Sequence, residues 1–550
     1  MSGRASFELA PALLGTFADD AGRAALAGGL VGLEKEALRV SAAGSVAPTP
    51  HPAALGSPLT HPCITTDFSE ALIELVTPAL GNGEQVLDLL ADLHAHVYRH
   101  IGDERLWASS MPCVLHGGAD IPLARYGTSN AAQMKTVYRR GLGNRYGRIM
   151  QIIAGVHFNF SVDEALWPRL ASMRAPAPRL ADGGDAERAV LGFRAESYMG
   201  MVRNLQRLGW LVPYLFGASP AVCKSFVQDV TTDLESFDAN TFFYPHATSL
   251  RMGDIGYQNR QEEGTGMKAS YDSLDAYIKS LTWAIETPCP QYETIGIKVN
   301  GGYEQLNDHV LQIENEYYST VRPKQITDWM ERPTLALRRR GVRYVELRSV
   351  DVNAYHPLGI DLETMCFLKL LMLYSLLIES PRIDARERRA IDANQVLAAH
   401  QGRAPGLRLQ AGDRQPTLRD WAARVLDAMA PLAELLDDAG SGDRFVASLK
   451  AQQAKVVDPA LTPSARMLAE MRERGEGFAA FARRLTEQHR ERFLAAPPSA
   501  ERGAWLADLA ATSLHRQRAI EAADAIDFDE FLRRYFAQSE AHPVELPAPV

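Results

Sequence analysis

The sequence predicts an α+β protein, with strands concentrated in the first two thirds of the chain and helices filling the remainder. From about residue 358 to 535 apolar residues recur at helical spacing without a fixed sequence repeat, which predicts a packed array of helices. We therefore predict an α+β region over residues 1–357 and a mainly helical region over residues 358–550, packed together as one domain. Two-residue alternation, the period of a strand with one apolar face, marks segments 31–40, 73–77, 155–161, 311–318 and 344–350.

The composition is that of an ordinary globular protein. Hydrophobic residues make up 46% of the 550 residues and charged residues 23%, which is typical of soluble domains. The net charge of -9 argues against nucleic-acid binding, because phosphate recognition requires a basic surface. The longest apolar run, residues 365–378, contains Lys369 and is too short to span a bilayer. It predicts a buried helix and no membrane contact.

The N-terminus and the cysteines favour a cytoplasmic protein. No basic stretch followed by an apolar run opens the chain, so we predict no secretion signal. The cysteines are odd in number and form no CxxC pair, which predicts a reducing compartment without disulfides or a structural zinc site. They are Cys63, Cys113, Cys223, Cys289 and Cys366.

Charged side chains occupy the polar faces of several predicted strands. Glu346 and Arg348 share one face of segment 344–350, and a salt-bridged edge strand would explain that segment alone. Glu34 and Glu36 lie two residues apart, which places both carboxylates on one strand face, either solvated or functional.

His157 shares the polar face of segment 155–161 with Asn159 and Ser161. A histidine in this position is either a hydrogen-bonded core residue or a ligand. Glu74 likewise lies opposite its apolar neighbours in segment 73–77. The same type of polar face therefore recurs on separate strands.

These side chains predict a cation site if their strands converge. Two carboxylates about 4 Å apart repel by roughly 4 kcal/mol at an effective dielectric near 20, so a cluster requires protons or cations, and loss of one carboxylate should relieve repulsion in the metal-free protein. Hard divalent cations prefer oxygen ligands, and Mg²⁺ typically arrives with nucleotide phosphates. The residue chemistry thus predicts magnesium-dependent phosphoryl transfer in a sheet cleft. The candidate carboxylates are Glu34, Glu36, Asp67, Glu74 and Glu346.

Residues 121–150 form a locally basic block that also contains tyrosines. A solvated helix or a seat for a small anion such as a nucleotide would each explain it. The chain contains no P-loop signature, no strand-linked G-x-G-x-x-G, no H-E-x-x-H and no G-x-S-x-G. A phosphate-binding glycine loop and a serine-hydrolase elbow therefore have no support.

Nine motifs follow one another in chain order: 32–36 (GLEKE), 64–74 (ITTDFSEALIE), 126–130 (YGTSN), 144–147 (NRYG), 155–161 (GVHFNFS), 213–220 (PYLFGASP), 248–251 (TSLR), 312–316 (QIENE) and 322–324 (RPK). Together they resemble the proteobacterial type 1 glutamate–cysteine ligases, also called γ-glutamylcysteine synthetases. The resemblance covers about residues 30 to 355, and two features differ from the family pattern: a Pro-rich insertion at 172–188 and the region after about residue 385.

The resemblance implies a glutamine-synthetase-like fold, in which a curved and mostly antiparallel sheet forms a funnel with helices outside. It implies that ATP phosphorylates the γ-carboxylate of L-glutamate and that the amine of L-cysteine then displaces phosphate, giving γ-glutamylcysteine, the first intermediate of glutathione biosynthesis. It further implies Mg²⁺, with Mn²⁺ as an accepted substitute, and a cytoplasmic monomer that binds neither nucleic acid nor membrane.

Residue roles also follow from the resemblance. Arg348 would contact the transferring phosphoryl group and act in catalysis together with Glu346, while Gln151 and Arg251 would hold glutamate. Arg322 and Lys324 would bind the nucleotide. The implied metal ligands are Glu34, Glu36, Asp67, Glu74, His157 and Glu346, and the implied cysteine pocket is Phe68, Tyr138, Arg139, Tyr257 and Tyr318.

Two alternatives remain at the level of sequence. One is a related carboxylate–amine ligase that accepts another amino acid as nucleophile. The other is a non-catalytic metal- or nucleotide-binding protein on the same scaffold, although none of the implied carboxylates is missing.

Overall fold

A computed structural model describes residues 7–174, 184–227, 232–256 and 268–540. Its helices and antiparallel strands confirm the predicted α+β class. The strands are β1 Leu30–Val40, β2 Ile64–Thr66, β3 Leu72–Val76, β4 Arg105–Leu106, β5 Gly155–Ser161, β6 Ala221–Cys223, β7 Glu235–Ser236, β8 Thr241–Phe243, β9 Lys298–Val299, β10 Gly302–Tyr303, β11 Val321–Lys324 and β12 Tyr344–Asp351.

The helices precede, separate and follow these strands, and the last third of the described chain is almost entirely helical. They are α1 Pro11–Gly15, α2 Asp20–Ala27, α3 Gly83–Tyr98, α4 Asn130–Tyr146, α5 Leu166–Arg174, α6 Gly184–Arg207, α7 Leu211–Phe216, α8 Leu274–Glu286, α9 Pro290–Glu293, α10 Pro333–Arg340, α11 Leu362–Leu377, α12 Ala385–Gln401, α13 Leu418–Leu436, α14 Arg444–Val457, α15 Pro463–Arg474, α16 Phe478–Ala495, α17 Ala500–Ala523 and α18 Phe528–Phe536.

Among the described residues, seven strands form the main sheet, in the order β11-β12-β5-β1-β3-β2 with β4 pairing to β1. All the neighbouring strands of this sheet pair antiparallel. Because β1 has β3 on one side and β5 on the other, nearly all of its side chains are buried. The segments with charged polar faces thus become neighbours in one sheet, although the chain separates them widely.

Helix α11 is the buried helix predicted from the 365–378 run. Asp361 begins it by accepting a hydrogen bond from the Thr364 N–H, and apolar residues on every side of the helix explain its burial. It packs against β5, α3, α6, α13 and α14. Contacting buried apolar side chains extend from Leu13 to Leu506 in the described chain. The domain boundary at residue 357 stays a prediction.

In the part of the chain that the structure describes, we find no helix with both the length and the apolar composition needed to cross a membrane.

The strand predicted at 311–318 is wrong. Residues Glu314–Glu316 form a 3-10 turn within a loop, and their alternating carboxylates take part in buried ion pairs. Glu314 lies 3.2 Å from Arg332 Nε, and Glu316 lies 2.9 Å from Arg145 Nη1. The two glutamates alternate along the loop because each forms an ion pair with a different part of the protein. Over so short a segment, this alternation looks the same as the two-residue period of a strand.

The prediction of a chain without disulfides is also wrong. Cys113 and Cys223 are joined by a disulfide, with their Cα atoms 5.4 Å apart. The Leu115 N–H donates to Ser225 Oγ at 3.2 Å, so the loop after β4 packs beside β6. The two cysteines are 110 positions apart in sequence, and no local spacing signals their pairing.

Candidate active site

Strand register brings the charged side chains together on one face of the sheet. Glu36 on β1 pairs with Glu74 on β3, and Glu34 pairs with His157 on β5. On the next strand, Glu346 pairs with Asn159. Directly opposed residues in antiparallel strands have Cβ atoms about 4.5–5.5 Å apart. The convergence on which the cation hypothesis depends is therefore present.

His157 lies at the centre of three carboxylates. Its Nδ1 is 3.2 Å from Glu34 Oε2 and 3.8 Å from Glu346 Oε1, and its Nε2 is 3.8 Å from Glu36 Oε1. Asn159 Nδ2 donates to Glu34 Oε1 at 2.8 Å. The polar face of β5 thus orients the carboxylates that β1 contributes.

Two cations flank Glu346 at the β12 side of this cluster. Arg348 Nη1 lies 3.0 Å from Glu346 Oε1, and Lys324 Nζ lies 3.6 Å from the same oxygen. Burial alone would raise the pKa of Glu346, but Lys324 and Arg348 outweigh it and hold that pKa below its usual range. Burial lowers the pKa of Arg348, and the Glu346 and Glu36 carboxylates reverse this and raise it overall.

The carboxylates at the β3 side have the opposite electrostatic surroundings. Burial raises the pKa of Glu74 well above its usual value, and the neighbouring Glu34 and Asp67 charges add to this effect. Burial also raises the pKa of Glu36, whose Oε2 accepts a hydrogen bond from the Gly155 N–H at 2.6 Å. This side of the cluster carries excess negative charge.

The donor set fits a hard divalent cation. One ligand atom each from Glu34, Glu74 and His157 lie within 4.8 Å of one another. Glu346 Oε2 is buried and has no hydrogen-bond partner among the described residues. Carboxylate oxygens are the ligands that Mg²⁺ prefers, and a cation here would offset the burial and the neighbouring carboxylate charges that raise the Glu74 pKa.

The two residues predicted to hold glutamate both lie near the beginning of β5. Gln151 is buried in a 3-10 turn, Met150–Ile152, just before β5. Arg251 is buried in a 3-10 turn, Leu250–Met252, and its Nη2 donates to the Arg348 carbonyl at 2.8 Å. Arg251 is thus fixed against the strand that carries the proposed phosphoryl contact.

The residues predicted for the cysteine pocket fall into two groups. Phe68 is buried against α4, which also carries Tyr138 and Arg139. The Arg139 guanidinium bonds to the Asp67 carbonyl and lies 6.0 Å from the Tyr138 ring centre. The Tyr318 hydroxyl instead lies 3.8 Å from Met252 Sδ, beside Arg251. Tyr257 falls outside the described residues, so a single pocket stays a prediction.

The predicted nucleotide-binding residues lie on β11, at the edge of the sheet. Arg322 pairs with Glu346 in the strand register, and its guanidinium bonds to the Tyr317 carbonyl. Lys324 points to Glu346, as described above. Both cations therefore border the carboxylate cluster, and their role toward a nucleotide stays a prediction.

Sequence reasoning missed two residues of this site, the half-buried Asn159 and the buried Asp351. Asn159 shares a polar strand face with His157, and that shared face was the available signal. Asp351, at the end of β12, accepts hydrogen bonds from Ser219 and Ser249. These partners belong to distant segments, so no local pattern points to the role of Asp351.

The family model described as glutamate-cysteine ligase matches residues 14–397 of this chain. The chain belongs to the glutamate–cysteine ligase family. Its similarity to the glutamate–cysteine ligase of Alcanivorax borkumensis is 45% identity over 93% of this chain and 96% of that protein. Similarity to the Azotobacter vinelandii glutamate–cysteine ligase is 47%, over 92% of this chain and 94% of the other. The family resemblance inferred from the motifs is confirmed.

Solved structures extend this family assignment to the fold. The glutamate–cysteine ligase of Francisella tularensis, solved in complex with AMP, superposes with a TM-score of 0.85 at 34% identity, over 92% of this chain and 97% of that one. A bifunctional glutathione synthetase from Pasteurella multocida shares the fold at 22% identity and a TM-score of 0.63, over 96% of this chain and 57% of that chain.

Proposed function

We propose that this protein joins the γ-carboxylate of L-glutamate to the amine of L-cysteine at the expense of ATP, through γ-glutamyl phosphate. The products are γ-glutamylcysteine, ADP and phosphate, and the reaction begins glutathione synthesis. Membership of the glutamate–cysteine ligase family supports this function. The observation that carries the chemistry is the cluster in which Arg348, Glu346 and His157 meet the β1 carboxylates.

Arg348 is proposed to act on the phosphoryl group during transfer. A γ-carboxylate oxygen of glutamate attacks the γ-phosphorus of ATP, and the bond to ADP breaks. Negative charge spreads over the phosphoryl oxygens in such a transition state, and a planar guanidinium can bind two of them at once. Glu346, 3.0 Å away, holds that guanidinium in place.

The acyl phosphate then reacts with cysteine. The cysteine nitrogen attacks the acyl carbon, the carbon–oxygen bond to phosphate breaks, and the nitrogen loses a proton. Bound Mg²⁺ would neutralise phosphate charge during the first step, held by Glu34, Glu36, Asp67, Glu74, His157 and Glu346. Mn²⁺, a cation of similar ligand preference, is proposed as a substitute.

Substrate positions are proposed on the same basis. Gln151 and Arg251 hold glutamate, and Phe68, Tyr138, Arg139, Tyr257 and Tyr318 surround cysteine. Arg322 and Lys324 contact ATP. The use of ATP is supported by the Francisella tularensis relative, which was solved in complex with AMP. We also propose a cytoplasmic monomer, where ATP and reduced cysteine are available, and light scattering on the purified protein tests the oligomeric state.

The proposed function is tested by following ADP release. Release should require glutamate, cysteine and Mg²⁺ together, with 2-aminobutyrate or glycine as weaker replacements for cysteine. With ¹⁸O in the γ-carboxylate of glutamate, one label should appear in phosphate, because an acyl phosphate transfers one carboxylate oxygen. Unlabelled phosphate would overturn the acyl-phosphate route, and equal turnover with glycine would favour a ligase of different specificity.

A further inference from the structure

Asp351 ends β12 as a buried carboxylate that joins two loops. Its side chain is 0% exposed. Its Oδ2 accepts hydrogen bonds from the Ala218 N–H at 2.9 Å and from Ser219 Oγ at 2.6 Å, and its Oδ1 accepts one from Ser249 Oγ at 2.9 Å. A buried carboxylate with three hydrogen-bond donors holds its surroundings rigidly.

The two loops are further bonded to each other beside Asp351. The Leu250 N–H donates to the Ser219 carbonyl at 2.7 Å, and Ser249 Oγ accepts from the Met252 N–H at 3.2 Å. Ser249 thereby begins the 3-10 turn that contains Arg251. The carboxylate therefore fixes the backbone from which Arg251 extends.

Asp351 also faces the Arg251 guanidinium directly. Arg251 Nη1 lies 3.6 Å from Asp351 Oδ1 and donates to the Val350 carbonyl at 3.3 Å. With Nη2 bonded to the Arg348 carbonyl, the guanidinium lies along β12. Arginine has five N–H donors, more than these contacts require, so it can still bind a carboxylate.

Gly155 shows how closely the guanidinium is fitted. A Cβ atom at this position would lie 2.0 Å from Arg251 Nη2, so the guanidinium fits here only because residue 155 is a glycine. The same glycine donates its N–H to Glu36. Arg251 is thus held at a set distance from the carboxylate cluster.

We infer that Asp351 is the positioning residue for Arg251 and so determines how tightly the enzyme binds glutamate. The inference deepens the proposed function and rests on it, because Arg251 is proposed there to hold glutamate. Asp351 touches no substrate in this scheme. It acts through the charge and the hydrogen bonds that orient Arg251.

Steady-state kinetics of Asp351→Asn test the inference. Loss of the charge should raise the KM for glutamate about tenfold or more, the scale of one weakened charge-assisted contact. The kcat and the KM for ATP should stay within about threefold of wild type. An unchanged KM for glutamate in the folded variant would overturn the inference, as would an equal rise in the KM for all three substrates.

Asp437→Asn provides a matched control. Asp437 is also a buried carboxylate, and it accepts hydrogen bonds from the Phe445 and Val446 N–H groups at 2.9 and 2.8 Å, outside the proposed site. Its loss should lower thermal stability and leave the KM for glutamate unchanged. If Asp351→Asn does not fold, Ser249→Ala is the second variant, because it keeps the carboxylate and removes one of its hydrogen bonds. A rise confined to the KM for glutamate would support the inference, and an unchanged KM for glutamate would overturn it.

A double-mutant cycle shows whether Asp351 acts through Arg251. In an Arg251→Ala background, Asp351→Asn should change the KM for glutamate less than twofold, because the group it orients is absent. Full additivity would overturn the inference. Wild-type enzyme that releases no ADP with glutamate and cysteine would contradict the proposed function itself, so the two failures are distinguishable.

Discussion

Glu346 and Glu74 belong to one carboxylate cluster but have opposite surroundings. Lys324 and Arg348 stabilise the ionised form of Glu346, whereas burial and neighbouring carboxylates disfavour the ionised form of Glu74. From sequence alone, loss of any one carboxylate of the cluster, such as Glu346 or Glu34, is expected to relieve repulsion in the metal-free protein. The structure limits that expectation to the β3 side of the cluster.

In magnesium-free protein we therefore expect Glu346→Gln to lower the free energy of unfolding by about 3 kcal/mol, because two partly buried cations lose the buried carboxylate that pairs with them. Glu74→Gln should raise it by roughly 1 kcal/mol, since a disfavoured charge disappears. Urea titrations followed by circular dichroism measure both. Added Mg²⁺ should stabilise wild type more than either variant, and equal Mg²⁺ stabilisation of all three would contradict the metal assignment.

Arg348→Lys keeps the cation but removes the planar pair of donors. We expect the kcat to fall about 10²-fold or more, the scale of losing one well-placed transition-state donor, with a much smaller change in the KM for ATP. Arg343→Lys is the control, because Arg343 is 38% exposed and pairs with the surface residue Glu164. A change confined to the KM for ATP would indicate ground-state binding instead.

The buried cysteine nearest the site in sequence, Cys63, should not act as a nucleophile. Burial raises the pKa of its thiol to about 11, so the reactive thiolate is scarce at neutral pH. Cys63→Ala is expected to retain most activity in the ADP-release assay. A folded but inactive Cys63→Ala protein would require an enzyme-bound thioester in place of the acyl phosphate.

At the scale of elements, helix α4 is stabilised by hydrogen bonds to the loop that contains Glu314–Glu316, a segment for which the sequence predicts a strand. Glu316 accepts hydrogen bonds from Arg145 Nη1 at 2.9 Å, from the Tyr146 hydroxyl at 2.7 Å and from the Gln312 N–H at 2.7 Å. Gln312 Oε1 accepts from the Leu306 N–H at 3.0 Å. The loop is irregular but rigid, because its polar groups bond to a helix.

Gly141 on α4 makes this close approach possible. A Cβ there would lie 2.2 Å from Gln312 Oε1, and Gln312 is fully buried. We expect Gly141→Ala to cost about 1–3 kcal/mol of unfolding free energy by overpacking and to raise the KM for cysteine. Gly503→Ala, in α17 with no atom within 4 Å of its added Cβ, should be neutral or stabilising by about 0.5–1 kcal/mol. Similar effects of the two changes would contradict this packing.

At the scale of the whole molecule, the Cys113–Cys223 disulfide closes a long loop that contains α4 and β5. Cys113→Ser with Cys223→Ser should lower the unfolding free energy by about 2–4 kcal/mol under oxidising conditions. Under reducing conditions wild type and the double variant should become nearly equal. Cys63→Ala, which leaves the disulfide intact, should respond to reductant as wild type does, and alkylation with mass spectrometry reports the pairing.

The sequence by itself determined which charged side chains share one face of a strand, because the period of a strand is a local property. Alternation places Glu34 with Glu36, and Glu346 with Arg348, on one face of their strands whatever lies beside them. The family motifs added the reaction, and the family comparison confirmed it. The buried helix α11 was equally local, since its apolar run has no polar face.

Only the tertiary structure decided which of these residues contact one another. The register that sets Glu34 opposite His157 and Glu36 opposite Glu74 depends on how the strands of the sheet pack together. The same is true of Asp351 with Ser219 and Ser249, and of the two cysteines in the disulfide. Contacts between residues far apart in sequence form when the whole chain buries its core, and no short pattern encodes them.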